Sequence, residues 1–361
     1  MAYLFYFVLL LHSVLIIKTA WPFFRKETTS SQNNKPPFTI IICAHNELEN
    51  LKILIPQLLI QNYPNFEIIV VLDRCTDHSL DYLQNLKNSE LKVLPIETIP
   101  DYWNPKKYGL NEAISLAKND WLLLIDADCL PPSINWIDSY AKLASPNKEL
   151  ILGVGAYHEE KHLVSQLTAY ETFQTACKYI SAAMSGAPYM GVGRNIAYRK
   201  SAFKRKGGFD GLENIIGGDD DLLVQKLATT DNTAVNLKQH SLTYSSPKRT
   251  WKGYLNQKTR HLSVGKHYKS VIKFNLMVQS IVHALVWLSF IYLLIFLSAP
   301  IVVIGSFVIL MVIKGLIYNR ISTRLGLPFH MSVYPILDFV YALILPLLGV
   351  RANVIKRITW K

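Results

Sequence analysis

The chain has 361 residues, half of them hydrophobic and only 18% charged, with a formal net charge of +12. A soluble domain carries about 25% charged residues, so this composition excludes a disordered chain and argues against a purely soluble one. Residues 232–361 hold sixteen Lys/Arg and one acid, Asp338, for a net charge of +15, whereas residues 1–231 sum to −3.

Residues 1–17 (MAYLFYFVLLLHSVLII) are apolar apart from His12 and Ser13, and Lys18, Arg25 and Lys26 follow them. A signal peptide leads with its positive charge and ends in small residues. This segment has the reverse order and reads as a retained transmembrane anchor, residues 1–18, with its N-terminus outside. A linker occupies residues 19–37, polar from Lys26 to Pro37.

An α/β domain is expected next, over residues 38–265. FTIIIC at 38–43 suits a buried strand, and a helix-length segment runs Glu47–Leu59. A second strand (Phe66–Leu72), a helical stretch (Ser79–Leu86) and a third strand near Leu91–Leu94 follow. The helical pattern Tyr108–Ala117 then leads into a fourth strand, Trp121–Ile125. Strands that alternate with helices and are apolar on both faces predict a mostly parallel sheet with helices covering it. Ligands of such sheets bind beyond the carboxyl ends of the strands.

A membrane region follows at 266–361, with candidate spans 274–297, 301–318 and 333–350, each near the ~20 residues a span needs. Lys314 is expected to snorkel, and Asp338 weakens the third span. Three spans would place the basic tail Arg351–Lys361 outside, against the positive-inside rule, unless one segment is re-entrant or interfacial. The basic residues beside these spans suit anionic lipid head groups and a cytoplasmic orientation. No nucleic-acid partner is expected, because the charge adjoins membrane-like segments. Cys43, Cys75, Cys129 and Cys177 form no C-x-x-C pair and read as reduced thiols on the cytosolic side.

Polar residues collect at the strand exits: Ala44-His45-Asn46-Glu47, Asp73-Arg74-Cys75-Thr76-Asp77 and Asp126-Ala127-Asp128. In the last, residues i and i+2 leaving a strand can turn two carboxylates toward one cation, and hard oxygen ligands suit Mg²⁺ or Mn²⁺. The competing reading is a loop pair capping a helix near Asn135–Ala144. Gly217-Gly218-Asp219-Asp220-Asp221 sets three acids after two glycines. They read either as a helix N-terminus that favours acids or as a base whose pKa is raised by its neighbours. Residues 247–273 hold eight Lys/Arg and no acid, including Gln257-Lys258-Thr259-Arg260-His261. A guanidinium there could neutralise a diphosphate leaving group, or the charges could simply face lipid.

The order of these pieces resembles the family 2 glycosyltransferases, GT-A fold enzymes that use nucleotide-sugar donors, and in particular their membrane-anchored branch of ceramide glucosyltransferase-like and cellulose or hyaluronan synthase-like proteins. CAHNE is similar to the family's first strand and turn. VLDRCTDHS at 71–79 resembles its Asp-x-Ser-x-Asp segment, with Leu72 in place of the first aspartate. Lys106 precedes Asn111 as in its Lys…Ala-Leu-Asn stretch, and GVGRNIAYRKSAF with GGFD at 191–210 resembles its acceptor-side loop. The base motif, Glu-Asp in much of the family, is followed by a Leu seven residues after its Asp; Leu227 lies seven after Asp220. QKTRH resembles Gln-x-x-Arg-Trp, with His261 replacing Trp.

The resemblance implies a GT-A domain between N-terminal and C-terminal transmembrane helices, and an inverting transfer to a hydroxyl of a lipid-linked or glycan acceptor at the cytosolic face of the cell membrane. Asp220 becomes the general base, and Asp126 and Asp128 the ligands of Mg²⁺ or Mn²⁺. Asn46, Glu47, Asp73, Lys106, Asp126, Gln257 and Arg260 become donor ligands, most readily for UDP, and Asp219, Arg194 and His261 lie on the acceptor side. A processive polysaccharide synthase would share the site but need more spans. A sugar nucleotidyltransferase would show a Gly-rich run with a Lys/Arg signature near the first strand, which is absent. A non-catalytic lipid- or nucleic-acid-binding module would leave the acidic clusters without a purpose.

Overall fold

The computed structural model describes residues 1–25, 35–296 and 301–354. Lys26, most of the linker, position 297 and the tail from 355 onward therefore lie outside the described residues. The chain opens with α1 (Ala2–Ala20). It continues through β1 (Phe38–Ala44), α2 (Leu48–Leu59), β2 (Phe66–Asp73), α3 (Ser79–Asn85), β3 (Leu91–Ile96), α4 (Pro105–Leu116) and β4 (Trp121–Leu124). Next come β5 (Cys129–Leu130), α5 (Trp136–Ala141), β6 (Leu150–Leu152), β7 (Gly155–Tyr157), α6 (Leu163–Met184), β8 (Ile196–Arg199) and α7 (Lys200–Arg205). The last elements are α8 (Asp221–Leu227), β9 (Thr233–Val235), β10 (Thr243–Ser245), α9 (Trp251–Val264), α10 (Ser270–Phe296), α11 (Ile301–Leu325) and α12 (Tyr334–Val354).

These elements fall into two units. The α/β unit covers residues 27–158 and 182–246; the helical unit is assembled from residues 1–26, 159–181 and 247–361.

In the α/β unit a seven-stranded sheet runs in the order β3-β2-β1-β4-β8-β6-β9. β3, β2, β1 and β4 are mutually parallel, and β8 is antiparallel to β4 and β6. Ile40 and Ile42 of β1, Ile68 and Val70 of β2, and Leu123 of β4 pack on Leu51, Leu54 and Leu58 of α2 and on Trp136 and Tyr140 of α5. Both sheet faces are covered, which is why β1 and β2 read as unbroken apolar runs. β1 lies between β2 and β4, so the strand order reverses there and the carboxyl ends of these strands border the ligand crevice of such folds. A smaller sheet, β5-β10-β7, completes the unit.

In the helical unit, four helices among the described residues are long and apolar enough to cross a membrane: Ala2–Phe24, Ser270–Phe296, Ile301–Leu325 and Tyr334–Ala352. Phe5, Val8 and Ile16 of α1 pack against Val286 and Leu293 of α10 and against Val303, Phe307 and Leu310 of α11. Two charged residues within these spans, Lys314 and Asp338, depart from expectation. Lys314 does not snorkel: it is 1% exposed, and its Nζ lies 2.8 Å from Asp338 Oδ1. Asp338, fully buried, also meets His283 Nε2 and Trp287 Nε1, each at 3.0 Å, and accepts from Tyr170 Oη at 2.6 Å. Lys314 further contacts His12 and His283 at 3.2 and 3.1 Å. Each charge costs several kcal/mol alone in hydrocarbon; paired and hydrogen-bonded, they join α1, α10, α11 and α12 rather than weakening the third C-terminal span.

Candidate active site

The exits of β1 and β2 are bent by two non-glycine residues with positive φ, Asn46 at 55° and Arg74 at 46°. Such backbone is sparsely populated and persists where the surroundings hold it. Here the two loops are sewn together. Asn46 Oδ1 accepts from the backbone N–H of Thr76 at 2.7 Å and of Asp77 at 3.3 Å. In return, Asp77 Oδ2 accepts from Leu48 N at 3.0 Å. His45 Nδ1 donates to the Asp73 carbonyl at 2.6 Å. The Asp73 carboxylate takes Nε of Arg74 at 2.7 Å, and Glu47 Oε2 accepts from Asn50 at 2.6 Å. Asn46 is thus a scaffold residue of this rim before it is anything else.

Lys106 stands in the first turn of α4, whose N-cap is Asn104. Its Nζ lies 2.8 Å from Asp126 Oδ1, beyond the end of β4, and 2.9 Å from Asp219 Oδ2, ahead of α8. One ammonium therefore joins two carboxylates 93 positions apart in the sequence. Burial opposes its charge, but Asp126 and Asp219 outweigh burial and hold Lys106 well above the ordinary lysine range. Asp219 is correspondingly lowered: burial raises it, and Lys106 overrides that.

Asp220 moves the other way. Burial, and then the neighbouring Asp219 charge, push its carboxyl up to about 6 against the pull of Lys106. Its Oδ2 accepts the Gly193 N–H and its Oδ1 the Asp221 N–H, both at 2.8 Å. Each oxygen keeps a further lone pair, so the group can still accept a proton.

Helix α8 starts at Asp221, and Asp220 itself is its N-cap, so the acids do stand at a helix N-terminus. Burial and the neighbouring Asp219 charge raise the pKa of Asp220, while the Asp221 backbone N–H lowers it. The loop before it is fixed by Lys107, which is fully buried and donates to the carbonyls of Ile215 and Gly217. Burial lowers Lys107 to about 8.

Ligand atoms of Asp126, Asp128 and Cys129 lie within 4.8 Å of one another. Cys129 is 2% exposed, and burial followed by the Asp126 charge raises its thiol well above the ordinary range; a thiol is also a soft donor that Mg²⁺ and Mn²⁺ do not favour. The hard donors of the group are the two carboxylates, and that pair fits Mg²⁺ or Mn²⁺ with positions left for phosphate oxygens.

Arg194 lies in the expected acceptor-side loop, but its guanidinium turns into the small sheet. It donates to Ser245 Oγ at 2.7 Å and Gly155 O at 2.9 Å, and stacks 4.4 Å from the Tyr157 ring centre. From this loop it is Gly193 that touches Asp220. Sequence reasoning passed over Gly193 and Lys107; the only signal for the glycine was its place inside the quoted loop. Gln257, Arg260 and His261 all lie on α9, in the helical unit.

The family model described as glycosyltransferase like family 2 matches residues 36–263, well over half of the chain. A poly(ribitol-phosphate) beta-glucosyltransferase of Bacillus spizizenii is 33% identical over 92 residues, 25% of this chain and 14% of that protein. A glycosyltransferase of Haemophilus influenzae described as uncharacterized is 27% identical over 128 residues, 35% of this chain and 38% of that one. The matched segments therefore span well under half the length of these curated relatives. Among solved structures, the mannosyltransferase PcManGT from Pyrobaculum calidifontis, in complex with GDP-Man and Mn²⁺, aligns over 96% of this chain and 95% of its own. The TM-score is 0.61 at 17% identity, a likeness of fold.

Proposed function

The chain belongs to the glycosyltransferase-like family 2, and from that premise we propose that it transfers a sugar, with inversion, from a nucleotide-sugar donor to a hydroxyl of a lipid-linked acceptor at the cytosolic face of a membrane. The observation that carries the reading is Lys106, whose one ammonium gathers Asp126 and Asp219 beside a carboxylate, Asp220, poised near neutrality.

Asp220 takes the proton from the acceptor hydroxyl as that oxygen attacks the anomeric carbon. The bond to the diphosphate breaks on the opposite face of the sugar, and the nucleoside diphosphate leaves. A base with a pKa near the working pH is ionised when needed and still basic enough to accept the proton. Gly193 and Asp221 hold Asp220 through backbone N–H groups, and Lys107 fixes the loop in front of it. Asp126 and Asp128 would hold Mg²⁺ or Mn²⁺, whose charge offsets that of the departing diphosphate. Lys106 adds a fixed positive charge on the same side. Asn46, Glu47 and Asp73 line the rim assigned to the nucleotide, taken as UDP. Gln257 and Arg260 are assigned to the donor by their motif alone, and Asp219 and His261 to the acceptor side. The lipid nature of the acceptor is supported by the four membrane-length helices in the same chain and by the acid-free basic segment 247–273.

The test is to incubate membranes containing the protein with radiolabelled UDP- and GDP-sugars and extract the lipid fraction. Label carried into lipid from a UDP-sugar, and lost with Asp220→Asn, is the expected result. Label from a GDP-sugar alone would correct the nucleotide, and no label from any donor would overturn the reading.

A further inference from the structure

The helical unit holds a second buried carboxylate to which the proposed chemistry gives no part. Glu171, on α6, is 6% exposed. Its Oε2 accepts from Tyr254 Oη at 2.8 Å and lies 3.2 Å from Lys258 Nζ. Both partners belong to α9 and both are buried, Lys258 at 5% exposure. Residues i and i+4 lie on one face of a helix, one turn apart. A single carboxylate that holds both fixes how far α9 slides along its axis and how it is rotated about it.

Glu171 is itself held in place. The residue before it, Tyr170, donates to Asp338 of α12 at 2.6 Å. One turn further along α6, Gln174 accepts from Tyr318 of α11 at 3.2 Å. Adjacent residues of α6 thus tie the ion pair within the spans to α9.

We propose that Glu171 is a positioning residue: it sets the rotation of α9 and so the placement of Gln257 and Arg260, which share that helix. The proposal rests on the reading that these two side chains bind the donor. Side-chain heads stand about 5–6 Å from a helix axis, so a 20° rotation of α9 displaces them by roughly 2 Å. A misplacement of about 1 Å can cost about a hundredfold in rate. A carboxylate that merely stabilised the fold would change the amount of folded protein and leave the kinetics of the folded fraction alone.

The experiment uses the full chain in lipid nanodiscs, as wild type, Glu171→Ala, Glu171→Gln and the pair Glu171→Gln/Lys258→Met. Two quantities are read: amide hydrogen exchange over residues 251–264, and steady-state transfer with the donor varied, per mole of folded protein. Glu171→Ala is expected to speed exchange in α9 and to raise the donor KM at least tenfold, while the acid limb of the pH profile, set by Asp220, stays in place. Glu171→Gln, which leaves Lys258 uncompensated, is expected to show the same changes in weaker form. The paired variant keeps the Tyr254 bond without a buried unpaired cation, and should recover most of both properties. Unchanged exchange in α9 overturns the proposal, as does faster exchange with wild-type KM and kcat. Should the wild type turn over no nucleotide sugar, the proposed function falls. Exchange then decides the clamp on its own: faster exchange in α9 supports it and unchanged exchange overturns it.

Discussion

Gly193 donates its backbone N–H to Asp220 Oδ2 at 2.8 Å, and a Cβ on this glycine would lie 3.4 Å from that same oxygen. The Cβ would also stand 3.2 Å from Asp219 Oδ2 and 3.5 Å from Lys106 Nζ. The residue that anchors the base thus also leaves open the space in front of it. Gly193→Ala should fold normally, since the intruded atoms are side-chain ends, yet lose about 10- to 100-fold in kcat by displacing the acceptor hydroxyl. A kcat within twofold of wild type would show that the acceptor approaches from elsewhere.

Asp220→Asn should lower kcat by about 10²–10⁴-fold, the usual worth of general-base catalysis, with donor affinity little changed. Asp219→Asn and Asp221→Asn should stay within about one order of magnitude, because they act on Asp220 only through its surroundings. Rates for the three single variants, with nucleotide affinity measured separately, check this. Collapse at Asp219 or Asp221 with Asp220→Asn near wild type would shift the base by one position.

The pH dependence follows from the raised carboxyl. Asp220 is the base only when ionised, so kcat/KM should rise with pH through a midpoint near 6 and fall about tenfold per unit below it. Asp219→Asn removes the second contributor to that rise, after burial, and should move the acid limb to lower pH. A midpoint at an ordinary aspartate value in the wild type would mean that Asp220 is not the titrating group.

Asp128→Ala should abolish transfer while leaving the thermal midpoint within a few degrees, because Asp128 is an exposed loop residue. EDTA should do the same reversibly, with Mn²⁺ or Mg²⁺ restoring activity. Nucleotide-sugar binding, measured without turnover, should become cation-independent in the variant. Full activity in EDTA would remove the metal from the mechanism.

Within the spans, Lys314→Met should destabilise the protein by about 3–5 kcal/mol, since it leaves Asp338 buried without its cation. Lys314→Met/Asp338→Asn should regain much of this, because it leaves no buried charge unpaired and the amide oxygen still accepts from Tyr170. Thermal unfolding of both variants in the same detergent decides it; equal losses would mean that charge pairing is not what holds the helices.

Much of this was legible in the sequence where one residue carries its own signal. β1, β2 and β4 announce themselves as apolar runs that stop at polar residues, His45, Asp73 and Asp126, because both faces of the sheet are covered. What stayed hidden depends on partners. Lys314 and Asp338 each look like a defect when read along a single helix, and only their packing makes them a pair. Gly193 has no side chain to read, and Lys107 looks like a surface lysine until the carbonyls of Ile215 and Gly217 close on it. α6 mixes buried Tyr170, Glu171 and Gln174 with apolar residues, so no amphipathic stripe marks it.

The contact of His12 with Lys314 spans 302 positions of sequence. A ribosome adding about 5–20 residues per second needs roughly 15–60 s to bridge that interval. During that time α1, if it enters the bilayer as it emerges, holds its imidazole without the eventual lysine partner while the sheet between them is being synthesised. Assembly of the helical unit is therefore split in time: the helix that carries His12 waits for partners made after the whole sheet, and whatever shelters its polar group in lipid has to act longest there.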